Sequence, residues 1–306
     1  MRSIRLHAYG GALTLEDIPE PIVADDDILV KVSSTAVNHL DLVEASGDAR
    51  QIFPIELPWT PGHEFSGVVE RVGKAVSGFA AGDEVFGDSS SGAYAEYVAV
   101  KETTTVKKPS NISFDEAASV PVAAQTAWQG IFTHGHLASG QTILVHGGAG
   151  AVGAYAVQLA ANAGAEVIVT ANAADEAYLK SIGANRVIDY RAARFEDELP
   201  NKVDVVFDLI GGETQQRSFK VLKKGGYLVA ATQPVSQEEA AKHGITGVLM
   251  NMTPDSALLA QLARQLEERK IVPDVAKVYA LSDVSKAWSD MAGVIHTHGK
   301  LVVKVA

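Results

Sequence analysis

Over roughly the first third of the chain, apolar positions come in short runs broken by turn residues. Residues 27–32 (DILVKV), 67–72 (GVVERV) and 94–100 (YAEYVAV) are rich in valine or aromatics and are bounded by Gly, Pro and Asp, which predicts short β-strands. Glycines at 62, 67, 73, 78, 82, 87 and 92 recur every few residues, as tight turns in a β-rich domain require. Near residue 115 the pattern changes. Ser113 is placed to cap a helix over DEAASV, with Glu116 as its capping-box partner. Apolar runs of strand length then alternate with stretches of helical period. Strands are predicted at 141–146, 166–170, 186–188, 203–209 and 226–231, and helices at 151–163 and 174–182. Such alternation implies a parallel sheet with helices on both faces. A long amphipathic helix is predicted at 256–269, and residues 275–305 return to strands around a helix at 284–291.

The fold class expected is therefore α/β: a β-rich domain joined to a doubly wound parallel-sheet domain. The tail is expected to complete the first domain, which makes the nucleotide domain an insertion. The expected domains are 1–115 with 270–306, and 116–269.

One loop carries chemistry. Gly148-Ala149-Gly150-Ala151-Val152-Gly153 matches G-x-G-x-x-G, follows the apolar run TILVH and opens a helix. Glycines at these places permit a tight turn, close approach of backbone N–H groups to a pyrophosphate, and close helix–strand packing. The helix N-terminus, with the amides of Ala151 and Val152 in its first turn, adds donors and partial positive charge. A strand–helix turn without a ligand is the simpler alternative. The next strand ends in Thr170-Ala171-Asn172, without the acid that an NAD site uses to hold the ribose. That leaves room for a 2′-phosphate and favours NADPH over NADH. Tyr190, Arg191 and Arg194 lie within reach by sequence, whereas Asp175 and Glu176 oppose a phosphate. Ile210 and Thr232 follow later strands and are expected to line the nicotinamide cleft, because ligands bind beyond the carboxyl ends of such strands. The stretch 249–253 (LMNMT) is expected to face the substrate opening or to belong to the core.

Composition narrows the classes. Hydrophobic residues make up 47% of the 306 and charged residues 21%, enough apolar surface for two cores. The formal net charge of −11, with no run of Lys and Arg, argues against nucleic acid as a partner. No apolar run reaches the length of a membrane span, and MRSIRLHAYG lacks the core of a signal peptide, so the expected setting is cytoplasmic with no membrane partner. There is no cysteine, hence no disulfide, no thiolate nucleophile and no Cys-ligated zinc.

The loop HGGAGAVG with AYAVQLA, together with PGHEFSGVVERVG, GDEVFG, GAYAEYV, AQTAW, GANRVIDYR and the terminal HGKLVVKV, resembles the medium-chain dehydrogenase/reductase superfamily, in particular its zinc-free quinone oxidoreductase branch (zeta-crystallin-like). The resemblance spans nearly the whole chain. It implies a chaperonin-10-like domain formed by both chain ends, a Rossmann domain between them, and a homodimer paired through the last Rossmann strands near 245–250. It further implies an NADPH-dependent oxidoreductase acting on small quinones or α,β-unsaturated carbonyl compounds. Zinc-dependent relatives hold metal through two Cys and the His of a GHE motif. Here Asn38 and a position near Val122 replace the cysteines, leaving His63 with Glu64. No metal site is expected. By the same resemblance, Asn38 lies near the nicotinamide ribose and Thr126 at the nicotinamide end. Asp41, three residues after Asn38, is placed to fix Asn38 or His39, or merely to cap a helix. His39 is a possible proton relay and Tyr94 a possible core aromatic. An enoyl-thioester reductase and a non-catalytic NADPH-binding sensor or structural protein are the competing readings. The first lacks a basic entrance for phosphate groups.

Overall fold

The computed structural model describes residues 1–199, 201–293 and 298–306. In chain order its strands are β1 (Arg2–Leu6), β2 (Leu13–Asp17), β3 (Asp27–Ala36), β4 (Glu64–Val72), β5 (Glu84–Asp88), β6 (Tyr97–Lys101), β7 (Thr105–Lys107), β8 (Thr142–His146), β9 (Glu166–Ala171), β10 (Arg186–Asp189), β11 (Val203–Asp208), β12 (Leu222–Ala230), β13 (Thr246–Leu249), β14 (Val275–Ala280) and β15 (Lys300–Lys304). The helices are α1 (His39–Ser46), α2 (Phe114–Ala118), α3 (Pro121–Trp128), α4 (Ala151–Asn162), α5 (Glu176–Ser181), α6 (Phe195–Glu198), α7 (Gly212–Ser218), α8 (Gln237–His243), α9 (Ser256–Glu267) and α10 (Val284–Ala292). No helix among the described residues is long and apolar enough to cross a membrane.

The chain divides into two compact units. The first takes Met1–Val122, the described chain from Pro254 to Gly293, and Lys300–Ala306. Its main sheet has the order β14-β15-β3-β4-β5-β7, with β6 also paired to β3. Strand β3 is central: Ile28, Leu29, Val30 and Val32 are all buried, and Lys31 alone of its residues is exposed. Strand β15 pairs antiparallel with β3 through Val302–Lys304 against Ala36–Ser34, so the last residues of the chain close the sheet begun by the first. The core joins Val30, Phe65 and Tyr94 to Val284, Leu301 and Val303 from the far end of the sequence. Strands β1 and β2 form a separate antiparallel pair. The turn at α2 forms as its sequence requires: Glu116 N–H donates to Ser113 Oγ at 3.2 Å, and Ser113 N–H donates to Glu116 Oε2 at 2.7 Å.

The second unit holds the chain from Ala123 to Thr253. Its six strands run in the order β10-β9-β8-β11-β12-β13, all parallel. Strand order reverses between β8 and β11, and a crevice opens beyond the carboxyl ends of a doubly wound sheet at that place. The core beneath combines Leu144, Ile168, Val206, Phe219 and Leu228. Strands β3 and β4 are longer than predicted and β6 starts three residues later, at Tyr97; three further elements depart from the sequence pattern. The predicted helix at 174–182 begins as a 3-10 turn, Ala173–Asp175, because Asn172 accepts the Ala174 N–H and starts a tighter turn. Strand β12 starts four residues earlier than predicted, through the exposed Lys223-Lys224-Gly225 that alternation does not mark. Helix α3 runs into a π-helical stretch, Gln129–His134, which no periodicity of 3.6 signals.

Candidate active site

In the second unit the glycine loop sits at the switch point between β8 and β11. Its tight turn is made by Gly147, at φ 76°, one residue ahead of the motif. A Cβ on Gly148 would lie 2.0 Å from Val169 Cγ1 on β9, and one on Gly153 would lie 2.3 Å from the Gly147 carbonyl oxygen. These two glycines let loop, strand and helix pack in contact. Gly150 is exposed, and a Cβ there would meet nothing nearer than 3.5 Å, so the loop surface above it is open. Helix α4 begins at Ala151 with Gly150 as its N-cap. The first-turn amides of an α-helix have no partner within it, so Ala151, Val152 and Gly153 offer donors at the positive end of the helix.

The neighbouring strand ends gather around this loop. Asp208 Oδ1 accepts the N–H groups of Ile210 and Gly211, at 3.0 and 2.9 Å, and so shapes the turn that leaves Ile210 exposed. A Cβ on Gly147 would touch Ile210 Cδ1 at 3.0 Å, and one on Gly211 would touch Thr232 Oγ1 at 2.8 Å. The loop, Ile210 and Thr232 therefore adjoin one another. His146 fixes the ends of β8, β9 and α7 together, bonding Thr170 Oγ1 at 2.9 Å and Ser218 Oγ at 3.0 Å. Burial pushes its pKa down to about 3, helped by the charge of Arg217, so it is a neutral linker. Thr126 is half-buried on α3. In the segment 249–253, Met250 is buried beside Gly130, and Gln129 anchors Thr253 by two hydrogen bonds of 2.7 and 3.0 Å.

At the end of β9, Asn172 commits its side-chain oxygen to its own turn. Glu176 is neutralised by Lys180 at 2.7 Å. Arg194 is held by Glu196 at 2.7 Å, but Arg191 has no carboxylate partner among the described residues and lies over the exposed Tyr190 ring at 5.6 Å.

The first unit holds a second polar cluster. Helix α1 begins after Asn38, whose backbone N–H is accepted by Asp41 Oδ2 at 2.8 Å. Asp41 and Glu44, three residues apart, lie on one face of α1. Asp41 is fully buried. Its Oδ1 accepts Gly62 N–H at 3.1 Å, and its Oδ2 also accepts Tyr94 OH at 2.9 Å. Gly62 passes over the Tyr94 ring at φ 104°, where a Cβ would lie 2.6 Å from the ring. Tyr94 is thus a core aromatic with a polar task, and it also accepts from Trp288 Nε1 at 3.4 Å. Asp41 holds Asn38, while His39 is exposed.

His63 Nε2 meets Glu44 Oε2 at 2.7 Å and Asp41 Oδ1 at 3.6 Å. Burial alone would lower the pKa of His63. The hydrogen bond to Glu44 and the charges of Asp41, Glu44 and Glu64 outweigh it and carry the imidazole up to about 9. Burial raises the Asp41 carboxyl despite the nearby His63. On the other side of Asn38, its Nδ2 donates to Glu64 Oε1 at 2.8 Å, Lys300 Nζ donates to its Oδ1 at 2.5 Å, and Glu64 Oε2 accepts Val122 N–H at 2.9 Å. Glu44, Trp288 and Lys300 carry no spacing signal in the sequence. A lysine at the head of the apolar run KLVVKV is the one signal that could have pointed to Lys300.

Two family models match. Residues 24–110 match the alcohol dehydrogenase GroES-like domain, and residues 182–303 match a zinc-binding dehydrogenase domain. The chain is 37% identical over 279 residues to the 2-methylene-furan-3-one reductase of Solanum lycopersicum, covering 87% of this chain and 69% of that one. It is 35% identical over 311 residues to the chloroplastic NADPH-dependent alkenal/one oxidoreductase of Arabidopsis thaliana, covering 96% and 77%. The chain belongs to the medium-chain dehydrogenase/reductase family. The structure of the quinone oxidoreductase from Coxiella burnetii superposes with a TM-score of 0.92 at 31% identity, covering 100% of this chain and 99% of that one. As a member of this family the protein is an oxidoreductase enzyme that uses a nicotinamide cofactor, and its fold is the GroES-like domain plus a Rossmann-type sheet.

The zinc of other family members finds a poor donor set here. Asp41, Glu44 and His63 can bring one ligand atom each within 4.8 Å of one another. Both Asp41 oxygens already accept hydrogen bonds, and His63 is protonated against Glu44. Zinc needs a neutral imidazole and favours four ligands in a tetrahedron. An ion-paired cluster describes these residues better than a metal centre.

Proposed function

We propose that this chain is an NADPH-dependent, zinc-independent oxidoreductase that transfers hydride to quinones or α,β-unsaturated carbonyl compounds. The observation that carries the reading is the state of the former ligand positions. Asn38 is held between Lys300 and Glu64, and His63 is held by Glu44. Oxidising an alcohol without a Lewis acid forfeits the route to an alkoxide. A conjugated acceptor asks less, since it spreads incoming charge onto an oxygen that hydrogen-bond donors can stabilise. The names of the tomato and Arabidopsis relatives support that acceptor class.

The roles follow from the two clusters. Gly148, Gly150 and Gly153 shape the loop, and the amides of Ala151 and Val152 bind the pyrophosphate. Thr126, Ile210 and Thr232 border the nicotinamide end. Asn172 and Tyr190 border the adenosine ribose, where Arg191 offers the charge for a 2′-phosphate. Asn38 donates to a ribose or substrate oxygen, and Asp41 positions it by fixing its backbone. When bound, the reduced nicotinamide supplies the hydride. Residues 1–115 with 270–306 act as the substrate domain. The edge strand β13, with Leu249 48% exposed, offers the surface for a homodimer.

The test is a fluorescence titration with NADPH and NADH, followed by 9,10-phenanthrenequinone and an enone in the presence of EDTA. Preferential NADPH binding with chelator-insensitive turnover is expected. Turnover abolished by chelation overturns the zinc-independent reading. Binding with no turnover across the acceptor panel makes the protein a cofactor-binding sensor instead.

A further inference from the structure

Lys300 is 4% exposed, and its ammonium reaches two groups: Asn38 Oδ1 at 2.5 Å and Glu64 Oε1 at 2.8 Å. It stands 262 residues from Asn38 in sequence, at the first position of β15. A buried ion pair adds little to stability, because well-packed apolar residues serve as well or better. Its geometry gives it another use. The oxygen and nitrogen of a side-chain amide are nearly the same size, so neighbours decide which way the amide points. Lys300 can only donate and an ionised Glu64 can only accept. Asn38 is gripped from both ends, its oxygen facing Lys300 and its nitrogen facing Glu64. Turned over, it would set NH2 against ammonium and oxygen against carboxylate. Glu64 is itself held, its second oxygen accepting Val122 N–H at 2.9 Å. Among the described residues the second N–H of Asn38 meets only the Ala36 carbonyl, at 3.5 Å, the outer limit of a hydrogen bond.

We propose that Lys300 is a positioning residue that, with Glu64, fixes which way the Asn38 amide points, so that its contact with an oxygen of the bound cofactor or substrate is made through N–H. This rests on the role given to Asn38 above. It assigns the polarity of that contact and the residue that sets it. The ligand atom is then a ribose hydroxyl or a carbonyl oxygen.

The single variants separate structure from positioning poorly. Lys300→Met strands a buried carboxylate and is expected to fold badly. The double variant Lys300→Met/Glu64→Gln removes both charges together. In the Glu64→Gln side chain the Val122 N–H claims the oxygen, so the new NH2 faces Asn38 and favours the turned-over amide, which no ammonium now opposes. Two readouts are taken on wild type and double variant: the side-chain amide resonances of 15N-labelled protein, and kcat, KM and NADPH Kd. Wild type is expected to give a resolved, exchange-protected amide pair for Asn38 that broadens or loses protection in the folded double variant. Turnover efficiency is expected to fall about tenfold, the loss of one oriented donor in a low-dielectric site. A rise in NADPH Kd identifies the ribose as the acceptor; a lower kcat at unchanged Kd identifies the substrate carbonyl. Unchanged kinetics in a folded double variant that has lost the amide lock overturn the proposal. If wild type has the lock but neither binds NADPH nor turns over, the proposed function falls and this role falls with it. A wild-type Asn38 amide that exchanges freely overturns the lock alone.

Discussion

Protonated His63 makes a prediction that requires no knowledge of the substrate. Its pKa is carried to about 9 from the ordinary 6.5. The folded state therefore holds this proton more tightly than the unfolded chain does. The stability so gained is fully present below pH 6.5 and is lost as the pH rises through about 9. One pH unit of difference in proton affinity corresponds to roughly 1.4 kcal/mol, so the most His63 can supply is about 3 kcal/mol. The side chain is 24% exposed, little enough that solvent screening does not erase the effect. The perturbation is His63→Gln, which keeps a donor toward Glu44 and removes the charge. Urea unfolding of wild type and variant at pH about 6, about 7.5 and about 9.5 gives the difference between them, in which titrating groups outside this cluster cancel. That difference is expected to be largest at the lowest pH and to shrink by about 2–3 kcal/mol by the highest. A difference that stays flat across the range, or grows with pH, refutes the protonated imidazole.

Gly153→Ala places a Cβ 2.3 Å from the Gly147 carbonyl, a backbone contact that cannot yield without moving the loop. NADPH Kd is expected to rise at least about tenfold, and tight binding in the variant would separate the loop from the cofactor. Arg191→Gln removes the cation without a carboxylate partner near Tyr190 and should weaken NADPH by about tenfold while leaving NADH unchanged. Equal loss for both cofactors, read by titration, would remove Arg191 from the 2′-phosphate. Zinc must displace the His63 proton to bind Asp41, Glu44 and His63, so its affinity, measured by chelator competition, should rise steeply between pH about 7 and about 9. Tight zinc binding without pH dependence would make the cluster a metal site.

Local signals wrote themselves plainly in the chain. The strand TILVH, the glycine loop and helix α4 are contiguous, and each residue needs only its neighbours to adopt that turn. The Ser113–Glu116 box formed for the same reason. What the pattern left out depends on contacts between distant residues. Strand β12 reaches back past its exposed lysines to Leu222, which pairs with Val203 of β11 across a shift in register. The turning glycine is Gly147 rather than a residue of the motif, because the register of β8 against β9 sets where the chain must bend. Asn38 and His63 were visible as a family pattern, and Asp41 by its spacing from Asn38. Glu44 looked like any helix-surface acid, and Lys300 like any charge in a terminal strand, until β15 closed on β3.

That closure bears on how the fold holds its buried acids. Asp41 and Glu64 are fully buried and Glu44 is nearly so. Uncompensated, each buried carboxylate would cost several kcal/mol. A divalent metal offers two positive charges at one point. In this chain two side chains offer them at two points: His63 beside Glu44 and Asp41, and Lys300 beside Glu64. Distributed in this way, the charges no longer form a Lewis acid, since neither an ammonium nor an imidazolium can take an oxygen lone pair into its coordination shell. They can still order the dipoles around them. On the proposed reading Lys300 orders Asn38, and Asp41, tied to Gly62, Tyr94 and the start of α1, orders the backbone on which Asn38 stands. On the same reading, chemistry that needs an alkoxide is out of reach. Chemistry that needs an oriented donor at a developing oxyanion is what such an arrangement retains, and conjugated carbonyls and quinones are the acceptors that ask for no more.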